Sequence, residues 1–121
     1  AGVSMDHAAA VLAQQIEPLL PASVVLLGMG ADMHVASLFP HADKLRLGLD
    51  AHAPVILEMR VPGVAQPRIS LTAPALSGGL SVHLLITGAQ KREALERAQH
   101  LPPEEAPVAA ILSGAVVHWA Q

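Results

Sequence analysis

The 121-residue chain is long enough for one compact domain and too short for two. Just over half of its residues are apolar (52%) and only 14% are charged, with a formal net charge of −3, so it can bury a core but carries no basic footprint for nucleic acid. The lack of cysteine excludes disulfides, thiolate metal sites and a cysteine nucleophile.

From Met5 to Leu20 the apolar residues Ala8, Val11, Leu12, Ile16 and Leu19 recur at helical spacing behind Ser4, a good N-cap, and Pro18 and Pro21 end the run. Ser23 to Leu27 is a short, continuously apolar strand that wants cover on both faces, as in a parallel sheet. Gly28 and Gly30 open a tight turn, Ala36 to Phe39 is expected to form a short helix, and Pro40 stops it. The polar stretch from His41 to His52 reads as irregular. Val55 to Val61 reads as a strand, Pro62-Gly63 as a turn, and Arg68 to Thr72 as a second strand with alternating Ile69 and Leu71. Pro74 to Leu76 is a helical turn. Leu80 to Thr87 is the second strongly apolar strand, and Gly88 leads it into a charged helix over Ala89 to His100 with an inner stripe of Ala94, Leu95 and Ala98. A short helix over Val108 to Leu112 and a closing strand over Ala115 to Trp119 complete the chain.

Strand, glycine turn and helix thus occur twice, which predicts an α/β fold: an open, Rossmann-like, mostly parallel sheet flanked by helices, with ligands at the carboxyl ends of its strands. The chain opens on a helix and holds only two clear βα units, so residues 1–121 are expected to be an incomplete portion of a larger α/β domain. The apolar runs fall well short of the roughly 20 residues that span a bilayer. No basic stretch followed by an apolar one opens the chain, so the expectation is a cytoplasmic protein with no membrane and no nucleic-acid partner.

Within the first turn, Asp32 and His34 stand two residues apart at a strand end. An imidazole can give or take a proton near neutral pH, and a neighbouring carboxylate can orient it. On residue types alone, the same turn is equally an ordinary surface turn. A dinucleotide fingerprint is excluded because Met33 replaces the third glycine, and Ser37 lacks the frame of a nucleophile elbow. Asp32, His34 and His41 match no metal-ligand spacing, so no metal is expected. At the second turn, Thr87 to Lys91, helix N–H groups gather and favour an anion, and Lys91 sits where a bound phosphate would relieve its clash with the helix dipole. Arg68, at the start of its strand, offers a planar fork suited to a phosphate, and equally suits a solvent-facing edge. His83 reads as a sheet-face histidine; His7, His52, His100 and His118 read as structural or surface, and Met29, Met33 and Trp119 as packing.

The segment Leu26-Leu27-Gly28-Met29-Gly30-Ala31-Asp32-Met33-His34-Val35-Ala36-Ser37-Leu38-Phe39-Pro40 closely resembles the 6-phosphogluconolactonase signature Leu-Leu-Gly-Met-Gly-x-Asp-Gly-His-Thr/Val-Ala-Ser-Leu-Phe-Pro. Pro67 to Thr72 with Pro74-Ala75-Leu76 is similar to that family's Arg-Ile-Thr-Leu-Thr-x-Pro-x-Leu, and Ile86 to Leu95 to its Thr-Gly-x-x-Lys-x-x-Ala-Leu. The family belongs to the glucosamine-6-phosphate isomerase/deaminase superfamily. The resemblance implies hydrolysis of 6-phosphogluconolactone to 6-phosphogluconate in the pentose phosphate pathway, with no metal or organic cofactor. By motif, His34 would be the general base and Asp32 would orient it or the sugar hydroxyls. Arg68 and Lys91 would bind the substrate phosphate, and the Gly28 to Gly30 turn would hold the reacting end of the phosphosugar lactone and steady its oxyanion. Oligomeric state is left open.

Two departures bear on activity. Met33 stands where the family has glycine, which implies backbone strain if that position has positive φ, or a narrowed pocket if the side chain faces substrate. The family's N-terminal phosphate loop and its Asp-Glu-Arg segment have no counterpart in these residues, so the resemblance implies that residues 1–121 are the C-terminal portion of a 6-phosphogluconolactonase-like α/β domain. A sugar-phosphate-binding pseudoenzyme disabled at Met33 is the alternative, and an isomerase or deaminase is a further one, disfavoured by Ala-Ser-Leu-Phe-Pro after His34.

Overall fold

The computed structural model describes residues 4–121. Ser4 caps the first helix, α1 (Met5–Ile16), by accepting a hydrogen bond from the His7 backbone N–H at 3.2 Å, and Asp6 adds a carboxylate to the first turn. A 3-10 turn over Glu17–Leu19 follows, with Pro18 inside it. The face α1 turns inward runs through Ala9, while Val11, Leu12 and Leu19 remain exposed. The stripe expected from spacing is therefore rotated. α1 packs against the strand Ile56–Met59, and Ala9 is the residue it buries.

Three strands form a wholly parallel sheet in the order β1-β4-β5: β1 (Val24–Leu27), β4 (Ser81–Thr87) in the centre and β5 (Ala115–Ala120). Val24 pairs with Ser81 and Leu27 with Leu84, while Val82 pairs with Ala115 and Thr87 with Ala120. Because neighbouring parallel strands run the same way, the turns after β1 and after β4 leave from one edge of the sheet. A separate antiparallel pair joins β2 (Ile56–Met59) to β3 (Arg68–Leu71), with Met59 opposite Arg68.

Helix α4 (Ala89–Ala98) lays Ala94, Leu95 and Ala98 on β4, as its stripe predicts, and there they meet Leu84 and Ile86, with Val108 and Ile111 in the same core. The opposite face of the sheet is open: Val24, Leu26, Leu85 and Val116 are each at least half exposed. The cover expected on both faces of β1 is present on one only.

Two further expectations are corrected. Ala36 to Phe39 is not a helix, because Ala36 has φ +51° and Val35 bridges both Met29 and Leu38. A left-handed residue at that point breaks the helical path. Within the stretch read as irregular lies α2 (Leu45–Leu49), whose Gly48 lets the Met59 side chain come within 2.7 Å of where a Cβ would be. The short helix α3 (Ala73–Ser77) occupies the expected helical turn, whereas the run from Val108 to Leu112 resolves into 3-10 turns over Pro107–Ala110 and Leu112–Gly114.

Candidate active site

The turn after β1 is built like a small hairpin. Met29 and Val35 pair across it, the Met33 N–H donates to the Gly30 carbonyl at 2.9 Å, and the Gly30 N–H donates to the His34 carbonyl at 3.1 Å. Such a three-residue loop closes on one residue in the left-handed region, a place that favours glycine. Here that residue is Met33, at φ +73°. Its side chain is buried in the core beside Met29, Val35 and Leu38, and its carbonyl accepts the Val108 N–H at 3.0 Å. Of the two consequences foreseen for Met33, strain is therefore the one realised, and the thioether points into the core instead of narrowing a pocket.

Asp32 and His34 are brought together. One carboxylate oxygen, Asp32 Oδ1, lies 2.5 Å from His34 Nδ1 and also accepts the His34 backbone N–H at 3.1 Å. Partial burial alone would raise the Asp32 carboxyl, but these bonds and the nearby imidazole outweigh it and hold the group below its ordinary 3.8. An ionised Asp32 only accepts, so Nδ1 carries the proton of the pair and the neutral ring keeps its lone pair on Nε2. Among the described residues Nε2 has no hydrogen-bond partner.

Gly30 is a steric requirement of this arrangement, since a Cβ there would lie 2.2 Å from His34 Nδ1 and Cε1 and 2.7 Å from Asp32 Oδ1. Gly28 is different: an added Cβ meets nothing within 4 Å. The Gly30 N–H is committed to the His34 carbonyl, so it is not the free oxyanion donor that the resemblance suggested.

Phe39 completes the cluster and had no role in the sequence reading. Its ring stacks on the His34 imidazole with centroids 4.1 Å apart and planes 19° from parallel. The Arg68 guanidinium carbon lies 5.9 Å from the same ring's centroid. Being the only phenylalanine, placed inside the recognisable block, was the one signal that could have marked it. The Ser37 N–H donates to Ser70 Oγ at 3.1 Å, tying this loop to the strand that Arg68 begins.

Lys91 occupies the third position of α4, behind Gly88, whose φ of +87° turns the chain from β4 into the helix. The Gly88 N–H donates to the Ala120 carbonyl at 2.9 Å, and the Gly88 carbonyl accepts the Trp119 indole N–H at 2.9 Å. Trp119 thus fixes this turn from the surface, where it is exposed, and is not the packing residue expected. Half-buried Lys91 makes no ion pair with a carboxylate among the described residues. His34 and Lys91 share the carboxyl edge of the sheet through adjacent strands, and Arg68 joins His34 through Phe39. A groove of about 430 Å³ lined by Leu49, Pro74, Ser77 and Glu104 lies on other residues and offers no proton-transfer pair.

His83 is a sheet-face histidine, as expected. Its Nε2 lies 2.6 Å from Ser81 Oγ and its Nδ1 lies 2.9 Å from His118 Nε2. The spacing imitates a nucleophile with its base, but β4 is hydrogen-bonded on both sides, so no free pair of backbone N–H groups converges there to hold an oxyanion. Among the described residues there is no group of three metal-ligating side chains, and no helix is long and apolar enough to cross a membrane.

A parallel sheet with a helix packed on it, and an Asp32–His34 pair in the turn at its carboxyl edge, places the chain in the class of open, Rossmann-like α/β proteins, whose ligands bind at strand ends. Residues 1–119 match the family model for glucosamine-6-phosphate isomerases/6-phosphogluconolactonase, and the chain belongs to that family. It is 40% identical to a 6-phosphogluconolactonase of Caulobacter vibrioides over 92% of its length, and 36% identical to one of Rhizobium meliloti over 83%. A crystal structure of a 6-phosphogluconolactonase from Shewanella baltica superposes with a TM-score of 0.89 at 25% identity, covering 98% of this chain and 53% of that one. The chain spans about half the length of the curated relatives it matches, 48% and 46% respectively.

Proposed function

We propose that this chain carries the catalytic base and part of the phosphate seat of an enzyme that hydrolyses 6-phosphogluconolactone to 6-phosphogluconate, a step of the pentose phosphate pathway. The observation that carries the reading is the 2.5 Å contact from Asp32 Oδ1 to His34 Nδ1, which leaves Nε2 basic and unpartnered at the edge of the sheet. Names and identity of the relatives support the substrate, and the cysteine-free sequence supports a cytoplasmic setting.

In this mechanism, His34 Nε2 takes a proton from water as the water oxygen bonds to the lactone carbonyl carbon. Asp32 stabilises the imidazolium that forms. The tetrahedral intermediate collapses, the bond from carbon to ring oxygen breaks, and Nε2 returns its proton to that oxygen. Water has then been added across the ester and the base is regenerated. Arg68 and Lys91 hold the phosphate at the far end of the substrate, which orients the lactone over His34.

Because charge-assisted hydrogen bonds contribute about 1.5–3 kcal/mol each, Arg68→Ala and Lys91→Ala should each raise KM roughly 10- to 100-fold while kcat changes far less. The measurement is lactone opening by the intact protein above the spontaneous rate. An intact protein that gives no acceleration, or variants with unchanged KM, would contradict the assignment. Against a pseudoenzyme blocked by a narrowed pocket stands the Met33 side chain, which is directed into the core.

A further inference from the structure

We propose that Phe39 is a positioning residue that sets the plane of the His34 imidazole and the reach of the Arg68 guanidinium together. The inference rests on the roles of His34 and Arg68 given above. A single hydrogen bond at Nδ1 fixes one corner of the imidazole and leaves the ring free to swing about that contact. The stack on Phe39, at 4.1 Å and 19°, removes this remaining freedom. Asp32 therefore sets where Nδ1 points, and Phe39 sets the plane in which Nε2 lies.

Phe39 can do this because its own backbone is held. Val35 and Leu38, with no exposed surface, anchor the loop in the core, and the Phe39 carbonyl accepts the Ala42 N–H at 3.1 Å. The ring packs against the same core cluster. Arg68 reaches that ring from β3, and the bond from the Ser37 N–H to Ser70 Oγ holds the two segments in register. One hydrocarbon ring thereby serves a group proposed for chemistry and a group proposed for phosphate binding. Displacing it should disturb both, which ordinary packing would not do.

The test compares Phe39→Leu, which keeps apolar volume but removes the flat face, with Phe39→Tyr, which keeps the face. In the intact protein, Phe39→Leu should lower kcat for the lactone about 10- to 100-fold, the scale set by small misplacements of a catalytic group. It should also weaken binding of 6-phosphogluconate several-fold, and Phe39→Tyr should restore both to within about threefold. A folded Phe39→Leu protein with wild-type kcat and wild-type 6-phosphogluconate affinity would overturn the proposal. A second readout is independent of turnover and of the leucine variant's folding. In the NMR spectrum of the wild type, the His34 ring protons should be shifted upfield by the Phe39 ring current, and an unshifted His34 would overturn the stack itself. If the wild type opens no lactone, the proposed reaction fails, while the NMR shift and the product-binding comparison still decide the role of Phe39.

Discussion

The turns after β1 and after β4 leave the same sheet edge, and each contains a residue in the left-handed region, yet one uses Met33 and the other Gly88. At Gly88 the conformation meets no steric penalty, and backbone groups do the work: the N–H and carbonyl are held by β5, and the helix N-terminus lies behind them. At Met33 the same region costs about 1–2 kcal/mol, so something else must hold the residue in place. Its side chain is buried, and burying a methionine contributes about 1.5–3 kcal/mol, which exceeds the strain. The β4 turn is thus a backbone device suited to an anion. The β1 turn is a side-chain device in which Asp32, His34 and Phe39 orient one another over Gly30.

If the β1 turn depends on side-chain geometry, Gly30→Ala should do the most damage. Its methyl group would clash with the His34 ring and push it from its place, and kcat should fall at least about 100-fold. Gly28→Ala, with open space around it, should leave thermal stability nearly unchanged, so equal effects at the two glycines would break the comparison. Next in size, Asp32→Asn removes the charge that sets the tautomer and should lower kcat at least about tenfold, as expected for a lost partner of a general base. Met33→Gly should relieve strain but forfeit the buried thioether, lowering unfolding free energy by about 1 kcal/mol with turnover changed less than threefold. A large rise in activity from Met33→Gly would revive the pseudoenzyme reading. Gly88→Ala, at φ +87° and ψ 156°, should cost about 1–3 kcal/mol, seen in denaturant unfolding, and weaken phosphate binding more than it lowers kcat.

Acid should separate the turns as well. The folded-state Asp32 carboxyl is depressed, so its contribution to stability is complete above its ordinary 3.8 and is lost as pH falls through the lower folded value. The interaction between Asp32 and His34 should loosen in that window, followed by the His34 ring resonances, while the uncharged links at Gly88 persist. Asp32→Asn should remove this transition.

Much of this was legible in the sequence. β1, β4, β5 and the stripe of α4 follow from continuous apolar runs and from spacing of three to four residues, signals that survive when tertiary contacts reinforce them. Gly88 and Lys91 were readable for the same local reason. Helix α2 was hidden because its Gly48 is poor for a helix alone and is explained only by the Met59 side chain across the core. The false helix at Ala36 to Phe39 shows the reverse: its residues suit a helix, but the left-handed Ala36 bends the loop back so that Val35 can pair with Leu38. The stack of Phe39 on His34 depends on that bend and so escaped a reading based on periodicity. α1 misled for a different reason. Its most apolar stripe is not the one that packs: Ala9 is buried while Val11 and Leu12 stay exposed.

The proposed chemistry depends on the His34 imidazole, which Asp32 holds at Nδ1 and Phe39 stacks upon. The most direct measurement is kcat for 6-phosphogluconolactone in the intact protein carrying His34→Ala, with 6-phosphogluconate binding followed in parallel. General-base catalysis is worth about 100- to 10,000-fold, so kcat should fall by that range while product affinity changes less than threefold. A His34→Ala protein that binds the product and opens the lactone at the wild-type rate would contradict the account.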